Sequence, residues 1–435
     1  IWQNIYKSYK MKIKLLFIVL FVGLHFSSAQ QRTCGVEARM EALMADPIQK
    51  AQFLDRQAKF QIEYQKIMNE QASPNRVASP QVTMKIPVAV HYPEVPNTSS
   101  ESLKTCLRNL AQSQVNVINA DYNATNSDIS NWTAASVFYP GVNVGSLDVQ
   151  FEIATQNHPA GTGLSNGTVA VTFGTDFLNG ADSDFTWAGY MNFVVRDEGN
   201  FILGYSPLAG SPASGHTVVM NTFCFGTGTG CSGYQPSSPF NLGRTVTHEL
   251  GHFFNLDHTF ASTSCTGGSS NCAFEGDGVC DTPRIVNESY NCPSPGSVPA
   301  CSPTEKSLTM NYMDYVDDPC MYMFTAGQKN KMQAYLNVIA SQYNQNVLAN
   351  DELLKNNFSI SPNPNKGTFE LLLIDNVANY SIQIFDTSGR VVFENEYIQN
   401  TSLSQTITLD AASSGIYFVS IKSKDAIITK KIIVE

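Results

Sequence analysis

The chain has 435 residues, with 37 acidic against 27 basic side chains and a formal net charge of −10. That balance argues against nucleic acid as a partner, and the length is enough for two or three domains with cores of their own. Only 15% of residues are charged while ten are cysteine, a combination that suits an exported chain holding disulfides.

In chain order, Met11-Lys12-Ile13-Lys14 precedes an apolar run from Leu15 to Leu24 and a small-residue cleavage site, Ser27-Ser28-Ala29. This reads as a signal peptide, so residues 1–29 form an N-terminal extension and export signal. The apolar run is too short for a comfortable bilayer span, and no other segment is apolar enough for one. Arg32-Thr33-Cys34-Gly35 then opens the exported chain. Residues 36–72 carry apolar side chains at helical spacing and predict helices. Residues 72–81 are rich in Ser, Pro and Asn, which predicts an exposed linker with Arg76 as a processing site. Residues 30–80 are therefore expected to be a prosegment and linker. Met84 to Tyr92 alternates β-branched residues and predicts the first strand of a catalytic domain over residues 81–345. A helix near 101–120 follows, with strands near 147–154, 189–196 and 216–221 and loops at Asp182–Gly189 and Phe223–Phe240.

A helix is expected near 242–255, carrying His248-Glu249-Leu250-Gly251-His252 and leading to His258. His248 and His252 are one turn apart and point the same way. Two imidazoles at that spacing can grip one Zn²⁺, with Glu249 beside it to act on a bound water. His258 becomes a third ligand only if the helix ends between it and His252. The fourth position then stays open, which marks a catalytic zinc. Downstream, Ala273 to Pro283 places Glu275, Asp277 and Asp281 in one glycine-rich loop suited to Ca²⁺, with the Val279 carbonyl and Thr282 as further ligands. Thr325 predicts the cap of a closing helix. Eight cysteines fall between Cys224 and Cys320, while Cys34 and Cys106 stand apart. A cysteine-bound second zinc lacks any paired C-x-x-C.

The pattern from His248 to His258 resembles that of the metzincin zinc peptidases, with Asn255 where they carry glycine. Asn tolerates the left-handed backbone that returns the third histidine to the metal. Met313 and Tyr315, in Leu308 to Tyr315, match the family's methionine turn and a tyrosine that reaches toward metal and carbonyl. Gly243-Arg244, His258-Thr259-Phe260, Val279-Cys280-Asp281-Thr282-Pro283, Asn311 to Met321 and Gln112 to Tyr122 are similar to the pappalysin branch, over roughly residues 80–340. The resemblance implies an α/β (α+β) metzincin-like domain, its zinc-binding helix flooring an upper subdomain above an irregular, disulfide-stapled lower part. It implies a secreted zinc endopeptidase in which Glu249 takes a proton from water as the scissile carbonyl is attacked, with Tyr315 assisting. It also implies calcium in the acidic loop and disulfides Cys265–Cys292 and Cys280–Cys320. Cys224–Cys231 and Cys272–Cys301 would then complete the set. Arg32-Thr33-Cys34-Gly35 resembles the cysteine-switch segment that holds several metzincins latent, and a Cys34–Cys106 disulfide is the alternative. Substrates would be proteins or peptides, but their identity is not legible. The rival readings are a catalytically silent zinc-containing adhesion protein on the same scaffold and a hydrolase of non-peptide amides.

After a linker at 346–356, residues 357–435 lack cysteine and alternate in short strands: from Phe358, Tyr380 to Phe385, Arg390 to Phe393, Gly415 to Ile421 and Thr429 to Val434. This predicts an all-β sandwich. Ser361-Pro-Asn-Pro-Asn365, Asp386-Thr-Ser-Gly-Arg390 and Gly415-Ile-Tyr-Phe-Val419 are similar to the sorting domain of type IX secretion. Its machinery would be the partner of this domain, and the protein is expected to be secreted or at the cell surface.

Overall fold

A computed structural model describes residues 32–72, 83–199, 202–262, 264, 265, 272, 276–348, 358–373, 380–397, 404–409, 412–423 and 427–435. The signal peptide, Arg76 and Glu275 lie outside the described residues. Helices α1 (Val36–Ala45) and α2 (Pro47–Ala72) break where Asp46 accepts from the Ile48 and Gln49 N–H groups and Pro47 supplies a first position that needs no donor.

β1 (Met84–Tyr92) lies one strand in from the edge of a mixed sheet. Parallel to it run β2 (Val149–Ile153), β3 (Val171–Phe173) and β4 (Met191–Arg196). β6 (Thr217–Asn221) continues the parallel set beside β4, and β5 (Gly204–Tyr205) closes the edge antiparallel to β6. Ile86 through Tyr92 are all buried, the pattern of a parallel strand covered on both faces. α3 (Glu101–Tyr122) is capped by Ser100 and turns Leu107, Leu110, Val115 and Ile118 into the core. The expected strands appear at slightly narrower bounds. β3 and β5 were not expected, because two or three residues are too short to display a period.

The sheet buries a polar side chain at its centre. His91 lies between the Phe177 and Trp187 rings, with Nδ1 2.7 Å from Thr172 Oγ1 and Nε2 3.2 Å from Asn192 Oδ1. Burial pushes its pKa down to about 3. His216 is depressed to about 3 for the same reason and accepts the Ser211 N–H at Nδ1. A histidine lowered on folding binds its proton first in the unfolded chain. Its stabilisation is therefore complete above about pH 6.5 and drains as pH falls toward the folded value. Each should cost on the order of 2 kcal/mol between pH 7 and pH 5. Thermal unfolding of His91→Asn beside the parent checks this: the variant should lose less Tm over that interval, and an equal loss would rule His91 out.

Below the sheet lie α4 (Arg244–Phe253) and α5 (Ala326–Ile339). Thr325 caps α5, as the sequence predicts, and Gln328 completes a capping box with it. Between these helices the described chain is turns and loops, stapled by Cys265–Cys301, Cys272–Cys280 and Cys292–Cys320. A further disulfide, Cys106–Cys231, ties α3 to the loop after β6. None of the expected pairings forms. Cys224 is a free thiol, buried with Sγ 2.9 Å from the Leu203 carbonyl, so Cys231 faces α3 instead. Bridging needs Cα atoms within about 7 Å with facing Cβ vectors, and only the tertiary fold decides that.

The C-terminal strands are β7 (Phe358–Ser361), β8 (Thr368–Leu373), β9 (Tyr380–Asp386), β10 (Val391–Tyr397), β11 (Ser404–Thr408), β12 (Gly415–Ser423) and β13 (Ile427–Val434). They form antiparallel sheets ordered β10-β9-β12-β13 and β11-β8-β7, which bury Leu371, Ile382, Ile384, Val419 and Ile421 between them. Asp386 Oδ1 accepts from the Ser388 and Arg390 N–H groups, which is why the D-x-x-G-R run turns. Asn363 and Asn365 of the proline-rich motif bind the final strand: the Ile433 N–H donates to Asn363 Oδ1, and the Asn365 N–H to the Ile433 carbonyl.

Candidate active site

Every residue of α4 is buried. Its entry is set by Gly243, whose φ of +75° and 2.9 Å approach to Gln114 leave no room for a Cβ. Its exit is set by Asn255, at φ +71°, the left-handed conformation that the sequence requires there. The turn brings His258 back so that its Nε2 is 3.0 Å from His252 Nε2. His248 Nδ1 lies 2.7 Å from the Tyr312 carbonyl, and His252 Nδ1 lies 2.8 Å from the Leu256 carbonyl. A carbonyl only accepts, so both Nδ1 atoms carry the hydrogen and both Nε2 atoms present lone pairs. His248 Nε2 is buried without a hydrogen-bond partner. Burial holds all three imidazoles neutral, His252 at about 4 and the others well below their usual value. Met313 packs its sulfur where a Cβ on Gly251 would stand, directly beneath the helix between the two histidines.

The fourth side chain of the cluster is Cys34. Its Sγ and the three imidazole nitrogens all lie within 4.8 Å of one another. Cys34 is unpaired, so the disulfide with Cys106 does not form. Its Sγ also lies 3.2 Å from Glu249 Oε2, and its N–H donates to the Tyr315 hydroxyl at 3.3 Å. Burial pushes Glu249 up to about 8, against the lowering effect of the Cys34 hydrogen bond and Arg32. Residues 33–35 lie along the sheet edge in parallel with β5: the Gly35 N–H donates to the Gly204 carbonyl and the Leu203 N–H to the Thr33 carbonyl. Gly204 faces Glu249, and a Cβ there would stand 3.2 Å from Glu249 Cγ.

Two partners in this arrangement have no assigned role in the sequence reading. Arg32 is fully buried over the Phe240 ring. It donates to the Val316 carbonyl, to Thr245 Oγ1 and, at 2.5 Å, to Asp318 Oδ1. The other Asp318 oxygen accepts from the Leu242 and Arg244 N–H groups. The only signal was an arginine two residues before the cysteine, which becomes informative once the chain is seen entering the cleft. Arg244 ion-pairs with Asp121 and Asp128 and donates to the Tyr312 hydroxyl, bracing the residue whose carbonyl orients His248.

The described carboxylates of the acidic loop engage α5 and their own loop. Asp281 spends both oxygens on the start of α5, accepting from Thr325 Oγ1 and the Gly327 N–H. Asp277 Oδ1 accepts from Thr282 Oγ1 and the Val279 N–H, and the Lys331 ammonium donates to the Asp277 carbonyl. Asp277 Oδ2 and the Val279 carbonyl remain, short of the six to eight oxygens calcium takes. Glu275 of the same loop lies outside the described residues, and each hydrogen-bonded carboxylate oxygen keeps a further lone pair.

Residues 190–337 match the family model described as pregnancy-associated plasma protein-A, and residues 359–435 match the secretion system C-terminal sorting domain. This is a pappalysin-type metallopeptidase domain joined to a type IX sorting domain. A promirolysin mutant of Tannerella forsythia has a solved structure similar to this one at 26% identity and a TM-score of 0.50, the match covering 71% of this chain and 95% of that one. An extracellular metalloprotease of Colletotrichum graminicola is 41% identical over 24% of this chain and 35% of its own length. One from Verticillium alfalfae is 31% identical over 43% of this chain and 61% of its own length. The chain thus spans only part of these curated relatives. The sorting domain marks the pappalysin-type chain for export, and no described helix is long and apolar enough to cross a membrane. A metallopeptidase family implies a zinc ion, and the three inward Nε2 atoms, one of them an orphan in a buried site, fit it.

Proposed function

We propose that this protein is exported as a latent zinc endopeptidase, with His248, His252 and His258 as ligands, Glu249 as the general base and Cys34 as the latency residue. The observation that carries this is the convergence of the three imidazoles with a free prosegment thiol against the Glu249 carboxylate. When bound, zinc would polarise both the attacking water and the scissile carbonyl, and would hold the Cys34 sulfur as thiolate in the closed form. With Cys34 gone, Glu249 faces the place its sulfur held. It takes the water proton as the oxygen adds to the carbonyl carbon, then passes that proton to the nitrogen as the C–N bond breaks. The Tyr315 hydroxyl, freed from the Cys34 N–H, donates to the developing oxyanion. The β5 edge that holds Thr33 and Gly35 offers a substrate the same backbone pairing.

Departure of Arg32 would leave Asp318 a buried carboxylate without its cation, which is costly. A basic substrate side chain removes that cost, so bonds beside Arg or Lys are the expected targets. The test is digestion of a diverse peptide library by the full chain, opened in its linker, with bound zinc quantified. One zinc per chain, cleavage abolished by a chelator and at least about a tenfold loss of basic over neutral preference in Asp318→Asn are expected. Zinc with no cleavage would favour the silent binding scaffold.

A further inference from the structure

Arg32 is not the only prosegment arginine seated on a carboxylate beside the cleft. Five residues past Cys34, on α1, the Arg39 side chain is about nine-tenths buried, with Nε 3.8 Å from Asp182 Oδ2. That Nε has no hydrogen-bond partner although it is shut away from solvent. Asp182 itself is held in place. Its Oδ1 accepts from the Tyr205 hydroxyl at 2.7 Å and from Arg196 Nη2 at 3.3 Å, while Arg196 also pairs with Glu198. Tyr205 belongs to β5, next to the glycine that faces Glu249, and Gly35 lies against its ring. The local charges are one arginine against two carboxylates, so without Arg39 this spot carries a net negative charge. The Asp182 side chain is one third exposed even with Arg39 beside it, and Oδ2 would then lose its cation.

Resting on the peptidase reading above, we propose that Asp182, positioned by Tyr205 and Arg196, is a second subsite for a cationic substrate side chain. In sequence, Arg32 and Arg39 flank Cys34, and they pair with Asp318 and Asp182 respectively. The prosegment would then occupy both cation subsites at once, and preferred substrates would carry basic residues at two separated positions. A partly exposed charge pair of this geometry contributes roughly two- to fivefold in affinity.

Two measurements test it. In the activated full chain, kcat/KM is compared for peptides that share one scissile bond and differ only in Arg or Gln at each of the six positions on either side. One position other than the one that answers to Asp318 should favour Arg by about two- to fivefold, and that ratio should collapse to near one in Asp182→Asn. Separately, a peptide of residues 32–45 and its Arg39→Gln form are bound calorimetrically to the Glu249→Ala full chain, opened by an added protease and freed of its prosegment. Arg39→Gln should weaken binding by the same factor to the parent and not to Asp182→Asn. An Arg preference that survives Asp182→Asn, or equal binding of the two peptides to the parent, overturns the subsite. Absence of all cleavage with the Arg39 effect on binding intact would reject the peptidase reading and leave a cation subsite standing.

Discussion

Replacing Glu249 by alanine is expected to leave zinc bound and to lower peptide hydrolysis at least about a thousandfold. The two effects separate because the groups are separate in space. The inward Nε2 atoms belong to the three histidines, and two of those rings are locked by their Nδ1 hydrogen bonds to the Tyr312 and Leu256 carbonyls. Glu249 touches Cys34 and its cleft neighbours, and takes no part in orienting those rings. Its carboxyl is fully buried, and burial is the largest cause that raises its affinity for a proton, with Glu37 adding to it. Metal analysis and peptide turnover on the same preparation decide the matter. Zinc retained with turnover within tenfold of the parent would remove Glu249 from the mechanism. Loss of zinc would mean that the carboxylate shapes the site rather than working within it.

Replacing Cys34 by alanine is expected to yield premature cleavage, seen as loss of residues 32–72 during expression and as activity before any processing. The thiol occupies the cluster centre and engages Glu249 at once, so one substitution frees both. The rest of the prosegment stays attractive to the domain. Leu43, Phe53 and Phe60 are buried against the core, each contributing on the order of 2 kcal/mol, and Arg32 remains paired with Asp318. A Cys34→Ala/Glu249→Ala double variant should therefore keep its prosegment intact and folded, because it cannot cut itself. Mass spectrometry of both proteins is the readout. A single variant that stays whole and inactive would assign latency to steric cover by the β5-paired segment, with the thiol incidental.

These expectations were reachable from sequence to different depths. The zinc helix, its capped neighbour α5 and the C-terminal sandwich were legible because their signals are local: two histidines one turn apart, a Thr-x-x-Gln box, and alternating strands broken by Asp-Thr-Ser-Gly. Asn255 was legible too, since few residues other than glycine adopt its backbone conformation readily. The disulfides were not. Cysteines seven apart in sequence, Cys224 and Cys231, face different parts of the core, while Cys106 meets Cys231 across 125 residues. The partners of the acidic loop were not legible for a similar reason, because Asp281 meets α5 and Lys331 meets Asp277, neither of which is near in sequence.

By itself the sequence determined which chemistry this protein carries. Ligand type and spacing along one helix are properties of a few adjacent residues, and so are the motifs of the sorting domain. The tertiary structure decided what that chemistry is held against. It aimed Cys34 at the three imidazoles, seated Arg32 on Asp318 and Arg39 on Asp182, and laid the prosegment along a two-residue strand too short to show any pattern. Those contacts join residues up to 286 positions apart. Their energies depend on burial and charge pairing that exist only once the chain has folded.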